Sequence, residues 1–193
     1  MASATLDAGH GRETPGKRSP DGVFREWSWC RDAAEIVVQT LNAKGVTCTN
    51  ITPDDKDTPL NERAKKVNAI VRQRPDNIHV SIHVNAAGSG ASWCSARGWQ
   101  VHTYLNPSAA SRRLANLAYD EAVAHGFRVR PESEGMHFRP KNLAILRETE
   151  CPAILVENFF QDNKEDCAYL LTPTSIYECA EVISNAVLKY FGK

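Results

Sequence analysis

The chain has 193 residues, with 23 basic and 23 acidic side chains, 42% hydrophobic residues and six cysteines. This length predicts one domain, whose folding buries about 70% of the extended chain's surface, enough for a core without disulfide or metal support. Zero formal net charge gives no electrostatic footprint for a nucleic acid or an anionic membrane, so neither is expected as a partner. No apolar stretch could span a bilayer, so membrane insertion is not expected either. We expect a monomer.

The N-terminal segment lacks the features of a secretory signal peptide. It has no basic region, and Asp7 falls where the apolar core of a signal peptide would run. The sequence therefore predicts a chain that stays in the cytoplasm after synthesis. The cysteines form no CxxC pair, and without an export signal their thiols are expected to be reduced.

Strand-type and helix-type segments alternate along the chain. In order, the patterns predict a strand at 4–7, a helix at 26–43, a strand at 46–51, a helix at 60–71, strands at 78–84 and 98–105, a helix at 108–125, strands at 143–146 and 153–159, and a helix at 174–190. Residues 12–22, 52–59, 86–97 and 128–141 are typical of loops. The alternation predicts an α/β fold in which helices flank both faces of a mostly parallel central sheet, in a single domain over residues 1–193.

Four residues that could support metal chemistry lie near the predicted ends of these elements. His10 follows the first strand, His83 ends the third, Glu157 lies late in the last strand, and Glu26 begins the first helix. Active sites of open α/β sheets form at the carboxyl ends of the strands. Two imidazoles and a carboxylate suit zinc held by His₂Glu with water in the open position, and the second carboxylate suits a general base.

Each of these residues also has a structural interpretation. A histidine after a strand is commonly a hydrogen-bonding loop residue, and Glu26 is favourable at a helix N-terminus on electrostatic grounds alone. Glu157 is harder to explain in this way, because it follows a fully apolar run, and a carboxylate there needs a partner or a function. His79 and His83 share a strand face about 13 Å apart, so they cannot both bind one metal ion. His83 is preferred because it adjoins a loop.

A competing phosphate-binding motif is incomplete. Residues 11–18 nearly match GxxxxGK[ST], but Arg18 stands where a Ser or Thr must bind magnesium, and Pro20 and Gly22 follow where a helix must begin. Cys94 and Cys151 could be thiol nucleophiles, but neither has a histidine partner placed beside it by the pattern, so a packing role is favoured.

Several segments together resemble a known enzyme family. Leu6–Gly11, Glu26, Ser81–Ala86 and Ile154–Phe160 are similar to the zinc-dependent N-acetylmuramoyl-L-alanine amidases of the amidase-3 type, found among cell-wall remodelling enzymes and phage endolysins. Residues 60–63, 98–101, 111–115 and 163–166 extend the resemblance over nearly the whole chain. The match departs from the family's usual pattern in the loop after His10 and at Asn158, which could alter substrate fit.

The resemblance implies a ligand set and a reaction. By position it places zinc on His10, Glu26 and His83, one ion per chain, and gives Glu157 the catalytic role, which also favours His83 over His79. The implied substrate is peptidoglycan, cleaved between N-acetylmuramic acid and L-alanine, by an endolysin that stays cytoplasmic until release and then acts on the cell wall. A zinc peptidase acting within the stem peptide and a non-catalytic cell-wall-binding module are the alternatives. The candidate substrate contacts are Asn85, Trp93, Arg139 and His137.

Overall fold

The computed structural model describes all 193 residues as a six-stranded sheet with six helices. In chain order the elements are β1 (Ser3–Ala8), α1 (Glu26–Ala43), β2 (Thr47–Asn50), α2 (Leu60–Gln73), β3 (Asn77–Asn85), β4 (Gln100–Thr103), α3 (Ala109–Ala124), β5 (Arg139–Pro140), α4 (Ala144–Arg147), β6 (Ala153–Phe160), α5 (Lys164–Leu170) and α6 (Pro173–Tyr190). None of the helices combines the length and apolar character needed to cross a membrane.

The strand order β2-β1-β3-β6-β4-β5 brings the candidate site residues to one edge of the sheet. Strands β2, β1, β3 and β6 are parallel, whereas β4 runs antiparallel to β6 and β5 runs parallel to β4. The carboxyl ends of β1, β3 and β6 therefore lie together, and β4 begins at the same edge. The predicted α/β fold with a mostly parallel sheet is confirmed.

The two faces of the sheet differ chemically. In β3, Ile78, Val80, Ile82 and Val84 belong to the main apolar core with residues of α1, α3 and α6, because successive side chains of a strand point to opposite faces. The alternate residues form a polar row that includes His79, Ser81 and His83. This second face is covered by α2 and α4. Ile145 and Leu146 of α4 pack on Ala153 and Leu155 of β6.

The prediction of a strand at 143–146 is wrong. These residues form the one-turn helix α4, whose apolar side chains seal the second face of the sheet. Four apolar residues do not distinguish a strand from a buried helical turn. The pattern also missed α5, and it missed β5, a strand of two residues that pairs with His102 and Thr103.

All six cysteines are free thiols, and Cys30, Cys48, Cys167 and Cys179 are buried. Burial raises the pKa of Cys48 to about 12 and that of Cys151 to about 11. A nucleophilic cysteine needs a lowered pKa, so these two act as small packing residues.

A buried ionic network joins α2 to the polar face of β1. Arg63 is 1% exposed and donates from Nη1 to Asp7 Oδ2 over 2.7 Å, while His79 Nε2 lies 3.2 Å from Asp7 Oδ1. Burial alone would raise the pKa of Asp7, but the hydrogen bond and charge of His79 and the charge of Arg63 hold this pKa well below its ordinary value. Asp7 therefore remains ionised in the folded protein.

We expect Asp7→Asn to lower the free energy of unfolding by about 3–5 kcal/mol at pH 7, because the Arg63 charge would stay buried without its partner. The contribution of Asp7 is fully present above the pKa of an unfolded-state aspartate, about 4, and is lost as the pH falls toward the lower pKa of the folded state. Urea unfolding between pH 7 and pH 2.5 measures how the difference in unfolding free energy between the wild type and Asp7→Asn becomes smaller as the pH falls. Asp76→Asn, at an exposed carboxylate, is the control and should lower the unfolding free energy only slightly. A loss for Asp7→Asn as small as that for Asp76→Asn would contradict the prediction.

Candidate active site

His10, Glu26 and His83 come together at the carboxyl edge of the sheet. The loop after β1 carries His10, the first residue of α1 is Glu26, and His83 lies two residues before the end of β3. One ligand atom from each residue lies within 4.8 Å of the other two. Glu26 Oε1 is 3.1 Å from His83 Nδ1 and 3.5 Å from His10 Nε2.

These spacings and donor types fit a zinc ion. Nitrogen and oxygen ligands bind zinc at about 2.0–2.1 Å in tetrahedral sites, which puts neighbouring ligand atoms about 3.3 Å apart. The separations from Glu26 to the two histidines bracket that value. His₂Glu is a donor set of catalytic zinc sites and leaves a fourth position open. The three residues predicted as ligands are therefore brought together in an arrangement that could hold the metal.

The backbone around His10 is strained and held from both sides. His10 has φ 58°, a left-handed conformation that costs a residue with a side chain about 1–3 kcal/mol. Arg31 of α1 donates from Nη2 to His10 O over 2.8 Å, and Arg63 of α2 donates to Ala8 O over 2.7 Å. Two buried guanidinium groups thus fix the turn that presents His10.

Glu26 is a buried carboxylate whose two oxygens are both satisfied. Oε1 accepts a hydrogen bond from Val84 N over 3.1 Å, and Oε2 accepts one from Gln161 Nε2 over 3.0 Å. Burial would raise the pKa of Glu26, yet the hydrogen bond with His83 and the charges of both histidines hold that pKa below its ordinary value. Gln161 was not predicted from the sequence, although it lies just beyond the carboxyl end of the last predicted strand, where site residues of open α/β sheets lie.

The two histidines differ in their environment. Burial lowers the pKa of His10 to about 4, despite the opposing charge of Glu26. Burial acts in the same direction on His83, but its hydrogen bond with Glu26 and the charge of that carboxylate raise the pKa of His83 above its ordinary value. A metal ion binds only the neutral form of each ring, so proton binding at His83, which Glu26 favours, competes with metal binding there.

Glu157 lies beside His83 in the parallel register of β3 and β6. Its Oε2 is buried and has no hydrogen-bond partner. Burial, with a smaller contribution from the charge of Glu26, raises the pKa of Glu157 to about 7, although His83 opposes the shift. An unpartnered buried carboxylate with a pKa near neutrality, next to a possible metal site, suits a general acid–base group.

The strand carrying Glu157 is irregular immediately after it. The register between β3 and β6 shifts after His83, and Phe159 has φ 68°. At the shift, Asn158 donates from Nδ2 to His83 O over 3.0 Å and accepts from Trp99 Nε1 over 3.1 Å. Asn158 therefore ties the strand bearing Glu157 to the strand bearing His83.

A polar cleft of about 330 Å³ opens between β4, β5 and the end of β6. Its lining residues are Gln100, His102, Arg130, Glu132, Arg139, Pro140, Lys141 and Phe160. Gln100 is the register partner of Glu157, so the cleft adjoins the candidate site. Gln100 and His102 were not predicted as site residues from the sequence. The only indication in the sequence was that the polar residues Gln100 and His102 alternate with the apolar Val101, which places both polar side chains on one face of a strand.

Of the four candidate substrate contacts, Arg139 lies in this cleft. Asn85 ends β3, where its carbonyl accepts from Gln161 N. Trp93 is partly buried against the main core. His137 lies elsewhere: its ring stacks on Tyr119 of α3, with centroids 4.3 Å apart, and it does not line the cleft.

Comparison with known protein families assigns the chain to one of them. The model of the Amidase_3 family, N-acetylmuramoyl-L-alanine amidase, matches residues 5–189. The chain belongs to the Amidase_3 family. The matched range includes all three candidate ligands and Glu157.

Individual relatives support the assignment. The endolysin of Bacillus phage SPP1 is 29% identical over 183 residues, 91% of this chain and 61% of the endolysin, so the chain spans about three fifths of that relative's length. The sporulation-specific N-acetylmuramoyl-L-alanine amidase of Bacillus subtilis (strain 168) is 25% identical over the whole chain and 69% of that relative. An N-acetylmuramoyl-L-alanine amidase from Clostridium difficile 630 shares the fold, with TM-score 0.87, 24% identity and coverage of 99% and 97% of the two chains.

Gly9 determines how closely the His10 loop approaches His83. A Cβ at position 9 would lie 2.6 Å from His83 Nδ1, so we expect Gly9→Ala to displace the imidazole and weaken zinc binding about 10- to 100-fold, the usual effect of disturbing groups that orient a ligand. Competition with a chromophoric chelator measures the affinity. Gly88→Ala is the control, since its added Cβ would lie 3.1 Å from Cys94 Sγ and 3.6 Å from Asp162 Oδ2 and near none of the three candidate ligands. Equal affinities for the two variants would contradict the prediction.

Proposed function

We propose that this chain is a zinc-dependent peptidoglycan amidase, which hydrolyses the amide between N-acetylmuramic acid and the L-alanine of the stem peptide. The proposal rests on one observation above all. Three potential zinc ligands lie within 4.8 Å of one another, and the unpartnered Glu157 carboxylate lies beside one of them in register. Membership of the Amidase_3 family supports the choice of bond.

His10, Glu26 and His83 would hold the zinc ion. When bound, zinc supplies a Lewis acid that polarises the amide carbonyl and lowers the pKa of water. Glu157 then takes a proton from the attacking water on its free Oε2. As the C–N bond breaks, Glu157 returns that proton to the departing amine of alanine. The carbonyl carbon keeps the water oxygen, and the products are a lactyl carboxylate and a free peptide N-terminus.

The surrounding residues hold this arrangement in place. Gln161 and Val84 N orient the Glu26 carboxylate, while Asn158 couples the backbones of the strands carrying His83 and Glu157. Such supporting hydrogen bonds fix the ligand geometry before substrate arrives. Peptidoglycan as substrate and the cell wall as the place of action follow from the proposed reaction, and the similarity to a phage endolysin supports the endolysin role predicted from the sequence.

We expect one zinc ion per chain after reconstitution at neutral pH, because the three side chains supply a complete His₂Glu donor set. Plasma emission spectrometry of the dialysed protein measures the stoichiometry. His10→Ala and His83→Ala should each lose most of the metal, whereas His125→Ala, at an exposed histidine, should retain it. A wild-type protein without stoichiometric zinc, or equal zinc content in all three variants, would contradict the proposed metal centre.

We expect digestion of purified sacculi to release intact stem peptides with a free N-terminal alanine and to leave bare glycan, as identified by mass spectrometry. Glu157→Gln should keep its zinc and fold but lose about 10²–10⁴ in rate, the span for removing a general acid–base group. Cleavage within the stem peptide would instead identify a peptidase, and binding without products would identify a wall-binding module. Loss of zinc from Glu157→Gln would make Glu157 a ligand.

A further inference from the structure

We propose that the cleft between β4, β5 and Phe160 binds the free α-carboxylate of the second stem-peptide residue, the one that follows the alanine released by cleavage. The inference rests on the proposed function, because it assigns a subsite to the same substrate. It makes Lys141 and Arg130 specificity-determining residues that distinguish an ionised carboxylate from an amide at that position.

The cleft is on the correct side of Glu157. Gln100 is the register partner of Glu157 in the antiparallel pair β4–β6, so both side chains lie on the same face of the sheet, about 5 Å apart at the backbone. His102 lies two residues further along β4, and its partner on β5 is Arg139. The cleft thus begins on β4, the strand next to the one that carries Glu157, and extends away from the candidate metal ligands.

The charges in the cleft favour an anion. Arg130, Arg139 and Lys141 line it, against the single carboxylate of Glu132. Glu132 neutralises Arg139, at 3.1 Å. Arg130 lies over the Phe160 ring, 5.0 Å from its centroid, and Lys141 forms no side-chain hydrogen bond or ion pair with the rest of the chain. After internal pairing, two cations therefore remain to face the cleft.

Two buried polar side chains form the floor between these cations. Gln100 and His102 are 5% and 3% exposed, and Gln100 Nε2 lies 3.1 Å from His102 Nε2. His102 Nδ1 lies 3.1 Å from the carbonyl oxygen of Arg139, which can only accept, so Nδ1 carries a proton. The ring then accepts from Gln100 through Nε2, and its orientation is fixed by contacts on both sides.

The stem peptide offers an anion close to the cleaved bond. Its second residue is a glutamate linked through its side-chain carboxyl, so the α-carboxyl is free and ionised unless the cell amidates it. Two extended residues span at most about 7 Å, which is longer than the spacing of about 5 Å between neighbouring strands such as β6 and β4. The sugars on the other side of the cleaved amide carry no comparable charge, so the cleft suits the peptide and not the glycan.

The test compares two sacculus preparations with the same cross-linking, one with the free α-carboxyl and one with the amide at the second residue. New alanine N-termini give kcat/KM for each. We expect the wild-type protein to prefer the carboxylate form about 10- to 100-fold, the span for a charge-assisted hydrogen bond. Lys141→Gln should reduce that ratio at least threefold, and Lys141→Glu should reduce it further. The control is Lys44→Gln, at the C-terminal end of α1 and so opposite to Glu26, which should leave the ratio unchanged.

A wild-type ratio near one, or a ratio that Lys141→Gln and Lys141→Glu leave intact, overturns the subsite. If Lys44→Gln lowered the carboxylate-to-amide ratio as much as Lys141→Gln, the preference would come from general surface charge, and the proposed subsite would be overturned. Because the ratio is measured only where alanine N-termini appear, these outcomes leave the amidase proposal standing. Absence of new alanine N-termini from both preparations would overturn the proposed function and the subsite with it.

Discussion

The carboxylate of Glu26 is the point on which the candidate site depends. It lies at the first residue of α1, buried to 1% exposure, and each of its oxygens reaches a different part of the fold. Oε1 contacts His83 and accepts from Val84 N of β3, while Oε2 accepts from Gln161 beyond β6. One side chain therefore fixes the position of α1 relative to two strands and places a negative charge between two imidazoles.

This arrangement carries a cost that the surrounding structure offsets. A buried carboxylate is unfavourable unless it is paired and hydrogen-bonded, and His10 and Phe159 both occupy left-handed backbone conformations beside the site. Arg31 binds the carbonyl oxygen of His10, Arg63 binds that of Ala8 at the end of β1, and Arg63 also neutralises Asp7. The ionic network beneath the site thus has two effects: it stabilises α2 against the sheet and holds the His10 turn in its strained form.

The difference between the two faces of the sheet explains why the site opens where it does. The apolar face is sealed by α1, α3 and α6, whereas the polar face is covered only by α2 and the single turn of α4. Near the carboxyl edge, Glu157 and the cleft of Gln100 and His102 remain on the less covered face. The same alternation that buries Val80 and Ile82 thus directs His83 and Glu157 toward possible ligands.

The sequence by itself determined the repeated strand–helix pattern and the mostly parallel sheet, and it predicted His10, Glu26, His83 and Glu157 as candidate site residues, which the structure brings together at one edge of the sheet. These predictions depend on local periodicity and on the rule that parallel strands bring their carboxyl ends to one edge. Only the tertiary structure decided that 143–146 is helical, that Arg63 pairs with Asp7, and that Gln100, His102 and Lys141 share a cleft with Arg139. Each of these depends on contacts between segments distant in the chain, such as the pairing of β4 with β6, whose register no local pattern specifies. His137 illustrates the same limit, since its loop position gave no sign that it would stack on Tyr119.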